Sequence, residues 1–504
     1  MHMKYGCLLG LLWLAGCAQN KEMKIAQPYT EPHRPHVHFS PKQHWMNDPN
    51  GMVYLNNTWH LFFQYYPDST VWGPMHWGHA TSKDLVHWTE QPVALYPDSL
   101  GYIFSGSIVA DVTNSSHFGK DGQAPLVALF TQHDPKGEKQ GRVDFQNQSI
   151  AYSVDEGKTW TKYSGNPVLK NPGIKDFRDP KVMWYEKEKK WIMTLATKDR
   201  VSFYTSPDLK QWSKASEFGE SLGAHGGVWE CPDLFPMEDQ GKTVWVLLVS
   251  INPGGPQGGS ATQYFTGDFD GTHFTTTQTE TKWVDQGTDN YAGITWSNTG
   301  ERKVFLGWMS NWQYAQAVPT VQWRSAMTIP RDLSIAQING AYYLRSFPVK
   351  ELAVIEEKGM AENNITRADK KLNGPAKLQF RLHATDNFSI TLSNTKGEKW
   401  IAGYDKNTNQ YFIDRTASGK NDFEKGFARK IFSKRISTDS AMDITLVIDD
   451  ASVEFFADKG TNTLTSIFFP TEKYSDVHIA GGNQFRMDSL VFIPLKSIWT
   501  KKPG

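Results

Sequence analysis

Apolar and polar residues alternate with period two through much of the chain, in short runs separated by polar turns. This is the pattern of half-buried β-strands. It is plainest towards the C-terminus, in Leu378-Gln379-Phe380-Arg381-Leu382, Phe388-Ser389-Ile390-Thr391-Leu392, Ile444-Thr445-Leu446-Val447-Ile448 and Val453-Glu454-Phe455-Phe456. Short strands at regular intervals with polar turns predict a β-sandwich there.

The N-terminal two thirds follow a different rhythm. Ser82-Lys83-Asp84-Leu85-Val86-His87-Trp88, Ser153-Val154-Asp155-Glu156-Gly157-Lys158-Thr159-Trp160 and Ser206-Pro207-Asp208-Leu209-Lys210-Gln211-Trp212 are copies of one pattern, and Gly267-Asp268-Phe269-Asp270-Gly271-Thr272-His273-Phe274 is a looser fourth. In each, an aspartate suits a tight turn and an aromatic follows, after an apolar or alternating strand. The copies start at 82, 153, 206 and 267, so they lie 71, 53 and 61 residues apart. That is the size of a four-stranded propeller blade with its loops. Four unrelated hairpins in a sandwich would not repeat turn, aromatic and strand together. The stretch from Trp283 to Trp312 supplies strands for a further blade. The expected fold is therefore all-β: a five-bladed β-propeller over 38–345, a linker over 346–360, and a β-sandwich over 361–504.

Composition adds three points. A chain of 504 residues exceeds one ordinary core, in keeping with two domains. Lysine plus arginine equal aspartate plus glutamate, 53 each, so charge gives no reason to expect a nucleic acid partner. Of 19 tryptophans, most are expected in the core and a few as stacking surfaces for sugar faces.

The first 17 residues read as a signal, with Lys4, an apolar run from Cys7 to Gly16, and Leu14-Ala15-Gly16-Cys17 at its end. The run is too short to span a membrane. It resembles the bacterial lipobox, which implies export, cleavage before Cys17 and lipidation of that residue. Residues 18–37 are polar and proline-bearing and suit a tether. Cys231 is then the one cysteine outside the signal, so neither an internal disulfide nor a cysteine zinc site is expected.

In a propeller the first strand of each blade lines the central axis. Acids at matching positions in several blades therefore converge despite their separation in sequence. Asp48 (His44-Trp45-Met46-Asn47-Asp48-Pro49-Asn50-Gly51), Asp179 (Phe177-Arg178-Asp179-Pro180), Glu230 (Trp229-Glu230-Cys231-Pro232-Asp233) and Asp289 (Asp289-Asn290-Tyr291-Ala292) are placed in this way. Glycosidic cleavage requires two such carboxyl groups, one ionised and one protonated, in environments that separate their pKa values. Glu230, between Trp229 and Cys231, is expected in apolar surroundings that favour its protonated form. Asp48, among Asn47, Asn50 and turn amides, is expected to favour the charged form. Arg178 is expected to hold Asp179 charged, as a hydroxyl acceptor.

At these residues the chain resembles glycoside hydrolase family 32, the β-fructosidases. Trp45 to Gly51, Phe104-Ser105-Gly106-Ser107, Phe177 to Pro180 and Trp229 to Asp233 carry the resemblance, with Gln64, Trp72-Gly73, Asp414-Arg415-Thr416 and Ser466-Ile467-Phe468-Phe469-Pro470 in support. It implies a retaining hydrolase that releases fructose from levan, inulin or sucrose. Asp48 is then the nucleophile, Glu230 the acid/base and Asp179 the transition-state stabiliser. Asn47, Gln64, Trp72, Phe104, Ser105 and Arg178 line the first sugar subsite, with Trp45 and Trp312 as neighbours. No metal or organic cofactor is expected, since the carboxyl groups supply the chemistry.

Attack from the chain end is expected, and an endo-acting levanase or inulinase is the alternative. An arabinan-cleaving propeller fits the Trp45–Gly51 stretch less well. A sialidase needs a tyrosine nucleophile and an arginine cluster. A non-catalytic glycan-binding lipoprotein does not need a proton donor.

Overall fold

The computed structural model describes residues 29–383 and 386–499. The expected signal and Cys17 lie outside the described residues.

Residues 44–348 form five sheets built of antiparallel strands, the first with an added parallel edge strand, Trp323–Arg324. Blade one comprises His44–Leu55, Thr58–Tyr66, His76–Ser82 and Trp88–Leu95. Blade two comprises Tyr102–Ala110, Leu126–His133, Gln146–Ser153 and Thr161–Lys162. Blade three comprises Phe177–Tyr185, Lys190–Thr197, Arg200–Ser206 and Ser213–Phe218. Blade four has Val228–Asp239, Lys242–Asn252 and Ala261–Phe269, with Phe274–Thr275 and Lys282–Trp283 both paired to the last of these. Blade five has Tyr291–Thr295, Lys303–Trp308, Arg331–Ile338 and Ala341–Pro348. The first strands pack against one another in sequence and the fifth returns to the first, closing a ring.

The recurring turn joins the third strand of a blade to the fourth in each of the first four blades. Its aspartate accepts backbone N–H groups that the turn leaves without ladder partners. Asp84 takes those of Val86 and His87 at 3.1 and 2.8 Å, and Asp208 those of Lys210 and Gln211 at 2.9 and 2.8 Å. The aromatic then packs on the blade before it. Trp160 meets Phe62 of blade one, and Phe274 meets Phe218 of blade three. Trp88 of blade one stacks on Trp296, which follows the first strand of blade five. One short motif therefore both turns a hairpin and glues neighbouring blades. Trp283, expected to open blade five, instead edges blade four, and blade five runs past Trp312 to Pro348.

A 3-10 helix, Lys350–Ile355, leads to two six-stranded sheets packed face to face. Their shared core includes Leu378, Phe380, Ile390, Trp400, Leu446 and Phe455. Ser452–Ala457 and Asn462–Ile467 are buried at every position, without the alternation of an outer strand. They are covered on one face by the sandwich and on the other by the propeller.

That junction is ionic and buried. Glu454 accepts from His38 Nε2 (2.9 Å), from the backbone N–H of Ile329 (2.7 Å) and from Arg331 Nε (2.9 Å). Arg331 also donates to Asp285 (3.0 Å), and His38 Nδ1 meets Asp449 at 2.8 Å. Fully satisfied pairs of this kind specify one docking geometry more than they add net stability.

Candidate active site

Each inner strand carries a β-bulge at the same level, where two residues oppose one on the neighbouring strand. The bulged pairs are Asn47-Asp48, Phe104-Ser105, Asp179-Pro180, Cys231-Pro232 and Ala292-Gly293. Bulges bend a strand and re-aim its side chains. Here they turn side chains from successive blades towards the axis at one depth. Asp179, Cys231 and Ala292 have left-handed φ of 65°, 46° and 53°. Such strain, about 1–3 kcal/mol per residue, persists where the surroundings enforce it, commonly at functional sites.

These side chains line a cavity of about 290 Å³. Asn47, Asp48, Gln64, Trp72, Phe104, Ser105, Arg178, Asp179, Glu230 and Trp312 all face it. Asp48 accepts Asn47 Nδ2 at 3.0 Å on one oxygen and the Ser105 hydroxyl at 2.8 Å on the other. Asp179 accepts the backbone N–H of Cys231 at 3.0 Å, a donor released from the ladder by the bulge. Arg178 clamps Glu230 through Nε (3.2 Å) and Nη2 (2.8 Å), and its Nη1 binds Asp176 at 2.6 Å. The Tyr291 hydroxyl donates to the other oxygen of Glu230.

Several expectations need correcting. Trp45 is wholly buried and does not line the cavity. It lies behind Trp312, stacked at 5.7 Å, and its indole N–H holds Asn47 Oδ1 at 2.7 Å. It therefore acts on Asp48 at one remove. Asp289 is not in the cavity. It accepts Arg415 Nη1 at 2.8 Å and the Ile467 N–H at 3.0 Å, tying blade five to the sandwich. The surroundings of Glu230 are polar, not apolar, because Arg178 and Tyr291 reach it from blades three and five.

The charge balance also differs from expectation. Burial, then the charge of Glu230, push Asp48 above the usual carboxylate range, and the Asn47 and Ser105 hydrogen bonds only partly offset this. Arg178 gives its hydrogen bonds to Glu230 and Asp176. Burial pushes Asp179 up to about 7, with the charge of Arg178 opposing and those of Glu230 and Asp48 adding. Like-charged carboxylates at close quarters oppose one another's ionisation, which adds to the upward shifts of Asp48 and Asp179.

Reading the sequence missed Tyr291, Asp176 and a cluster at the wall of the cavity. His133 stacks on Phe104 (4.4 Å) and meets Glu138 at 3.1 Å, while Gln146 and Gln316 also face the space. The tyrosine could have been found, since it stands two residues from Asp289 in a stretch already singled out. The others lie in loops, a short helix, and the second and third strands of blade two, without a local signature.

Comparison with known proteins agrees with this architecture. Residues 38–346 match the model of the glycosyl hydrolases family 32 N-terminal domain, and 353–492 that of the family 32 C-terminal domain. The chain is 45% identical over 497 residues to a levanase of Bacillus subtilis, covering 94% of this chain and 72% of that protein. It is 40% identical over 489 residues to an extracellular exo-inulinase of Aspergillus awamori, covering 88% and 90%. The crystal structure of exo-inulinase from Aspergillus awamori superposes with a TM-score of 0.86 at 36% identity, over 94% of this chain and 100% of that one. A β-fructofuranosidase of Schwanniomyces occidentalis complexed with fructosyl-erythritol gives 0.86 at 32%, over 94% and 99%.

Proposed function

The chain belongs to glycosyl hydrolase family 32, and from that membership we propose how its cavity works. It is a glycosidase that releases fructose from β-fructofuranosides, and its relatives are named levanase, exo-inulinase and β-fructofuranosidase. Asp48 is the nucleophile, Glu230 the acid/base and Asp179 the residue that holds fructose hydroxyls. The observation that carries this is the convergence of the three carboxyl groups in one cavity, with Asn47 and Ser105 on Asp48 and with Arg178 and Tyr291 on Glu230.

In the first step a proton passes from Glu230 to the glycosidic oxygen. The bond from that oxygen to the anomeric carbon breaks, and an oxygen of Asp48 bonds to the same carbon. The leaving group departs as an alcohol. In the second step Glu230 takes a proton from water, whose oxygen displaces Asp48 and frees fructose. Asn47 and Ser105 fix the attacking carboxylate. Arg178 and Tyr291 hold Glu230 in place for both proton transfers.

Attack is from the chain end. A cavity of about 290 Å³, walled by side chains of the first four blades and by Trp312, suits one terminal fructose. Digestion of levan and inulin with products separated by size tests it. Fructose alone, with polymer length falling slowly, is expected, whereas mixed oligosaccharides with rapid loss of length would mean an open cleft and endo action.

The lipobox-like Leu14-Ala15-Gly16-Cys17 supports export and anchoring through a lipid on Cys17. Cys17→Ser should move the protein from the membrane to the soluble fraction. A variant that still sediments with membranes would rule out this anchor.

A further inference from the structure

Exposure measures depth in the cleavage cavity. At its floor Asn47, Gln64, Ser105 and Asp179 are between 2% and 5% exposed. The side chains of Arg178 and Glu230 reach 12% and 20%, and that of Glu138 reaches 52%. Glu138 lines the same space and therefore stands at its mouth. It belongs to the one-turn helix Pro135–Lys139, which follows the second strand of blade two.

An exposed glutamate beside a histidine is ordinarily a surface ion pair of little worth. This one is held by a buried relay. Gln146 Oε1 accepts the backbone N–H of Phe177 at 2.8 Å, so its Nε2, 3.3 Å from His133 Nδ1, is a donor. His133 Nδ1 then accepts, and the single ring proton sits on Nε2, 3.1 Å from Glu138 Oε2. Burial holds this imidazole below its ordinary pKa range, against the opposing charge of Glu138, and keeps it neutral. The ring has no freedom to turn away, since it stacks on Phe104 at 4.4 Å and meets Phe145 edge-on at 5.3 Å. A rigid, neutral donor thus aims Glu138 without cancelling its charge. Oε2 faces the imidazole and Oε1 is left for a donor at the mouth. Phe177 immediately precedes Arg178, so the same relay ties this wall to the strand whose arginine holds Glu230.

The reaction determines what that donor is. Fructose takes the floor of the cavity, against Asp48, and Glu230 protonates the oxygen of the departing group. The departing group must therefore lie on the solvent side of Glu230, where Glu138 stands. A sugar presents hydroxyls there, and a carboxylate accepts them in charge-assisted hydrogen bonds. Resting on the assignment of Asp48 and Glu230, we propose that Glu138, aimed by His133, binds hydroxyls of the leaving sugar and so favours saccharide leaving groups over those without hydroxyls.

Steady-state kinetics of the full chain on two substrates tests this. Sucrose has a leaving group rich in hydroxyls, and 4-nitrophenyl β-fructofuranoside has one with none. Glu138→Ala should lower kcat/KM about tenfold on sucrose, mainly through KM, and less than twofold on the aryl fructoside. Glu138→Gln, which keeps an acceptor oxygen without the charge, should fall between wild type and Glu138→Ala on sucrose. An equal fall on both substrates overturns the proposal, because a residue that only supports the wall would move both. So does a Glu138→Ala that retains wild-type kcat/KM on sucrose. Failure of the wild type to hydrolyse the aryl fructoside, or full activity of Asp48→Ala on it, would instead count against the assignment of Asp48 and Glu230, so the two readings fail separately.

Discussion

The backbone N–H of Cys231 donates to Oδ2 of Asp179 at 3.0 Å, joining the bulge of blade four to the bulge of blade three. Because Glu230 immediately precedes Cys231, the position of the acid/base is set by the same peptide that binds the stabilising aspartate. The carboxyl groups are thus linked through backbone, and their effects should be coupled, not additive.

Removing either principal carboxyl should be the most damaging change. Asp48→Ala and Glu230→Ala are each expected to lower kcat by at least about a thousandfold while circular dichroism and Tm show a folded protein. Azide should partly restore turnover of Glu230→Ala on a substrate with a good leaving group, since that variant then lacks only its base. A folded Asp48→Ala near wild-type activity would refute the assignment.

Arg178→Lys keeps the charge but loses the two-pronged grip on Glu230 and the bond to Asp176. A planar fork is not replaceable by a point charge. The expected outcome is a fall in kcat/KM of at least about tenfold, or ~1.4 kcal/mol of transition-state binding. Steady-state kinetics on sucrose would show it, and an unchanged kcat/KM would count against the clamp.

Asp179 makes activity and stability oppose one another. Its folded pKa, about 7, is above that of an exposed aspartate. A raised pKa means that its contribution to stability is complete below the unfolded value, near 4, and is lost as pH rises through about 7. Asp179→Asn removes this loss. Its Tm should exceed that of the wild type at pH 8 and the gain should shrink towards pH 5, while kcat falls at least about a hundredfold. A Tm difference independent of pH would show that burial of this charge is not the cause.

His38 should behave in a related way at the domain junction. Its hydrogen bonds to Asp449 and Glu454 outweigh burial and hold its folded pKa up to about 9. Its stabilisation is therefore full below pH ~6.5 and disappears as pH rises through about 9. His38→Ala leaves two buried carboxylates short of a partner, a loss of about 3–5 kcal/mol. The Tm deficit should be greatest at pH 5–6 and diminish towards pH 9, and thermal melts across that range would reveal a constant deficit if the pairing were unimportant.

What the sequence made legible follows from the range over which each feature is encoded. The blade turns are local, needing only an aspartate and an aromatic a few residues apart, and four of the five blades followed from them. Asp48, Asp179 and Glu230 stood in compact motifs whose neighbours make the bulges. Asp289 looked equivalent, but it lies two residues before the strand Tyr291–Thr295, outside the bulge, and Arg415 of the sandwich captures it. No local pattern announces a partner 126 residues away. The same limit hid Tyr291 and misjudged Glu230, because the polarity around a carboxylate in a ring is supplied by other blades. The pKa directions failed for a further reason. Near neighbours in sequence suggested hydrogen bonds to Asp48, and Asn47 makes one while Asn50 reaches only the Asp48 backbone carbonyl, but crowding of three acids at one depth is a property of the closed ring.

Glu454 binds His38, just ahead of blade one, and Arg331, in blade five. Blade one takes a parallel edge strand from the blade-five segment, Trp323–Arg324 on His44 and Trp45, and a bridge joins Val53 to Ser297. The ring closes at this seam through those short pairings, and the sandwich is a second clasp across it. A domain that places no atom in the cleavage cavity nonetheless sets the span over which its carboxyl groups face each other. Tension released at the clasp would be felt first as misalignment of Asp48, on one side of the seam, against Tyr291 and the Glu230 it holds, on the other.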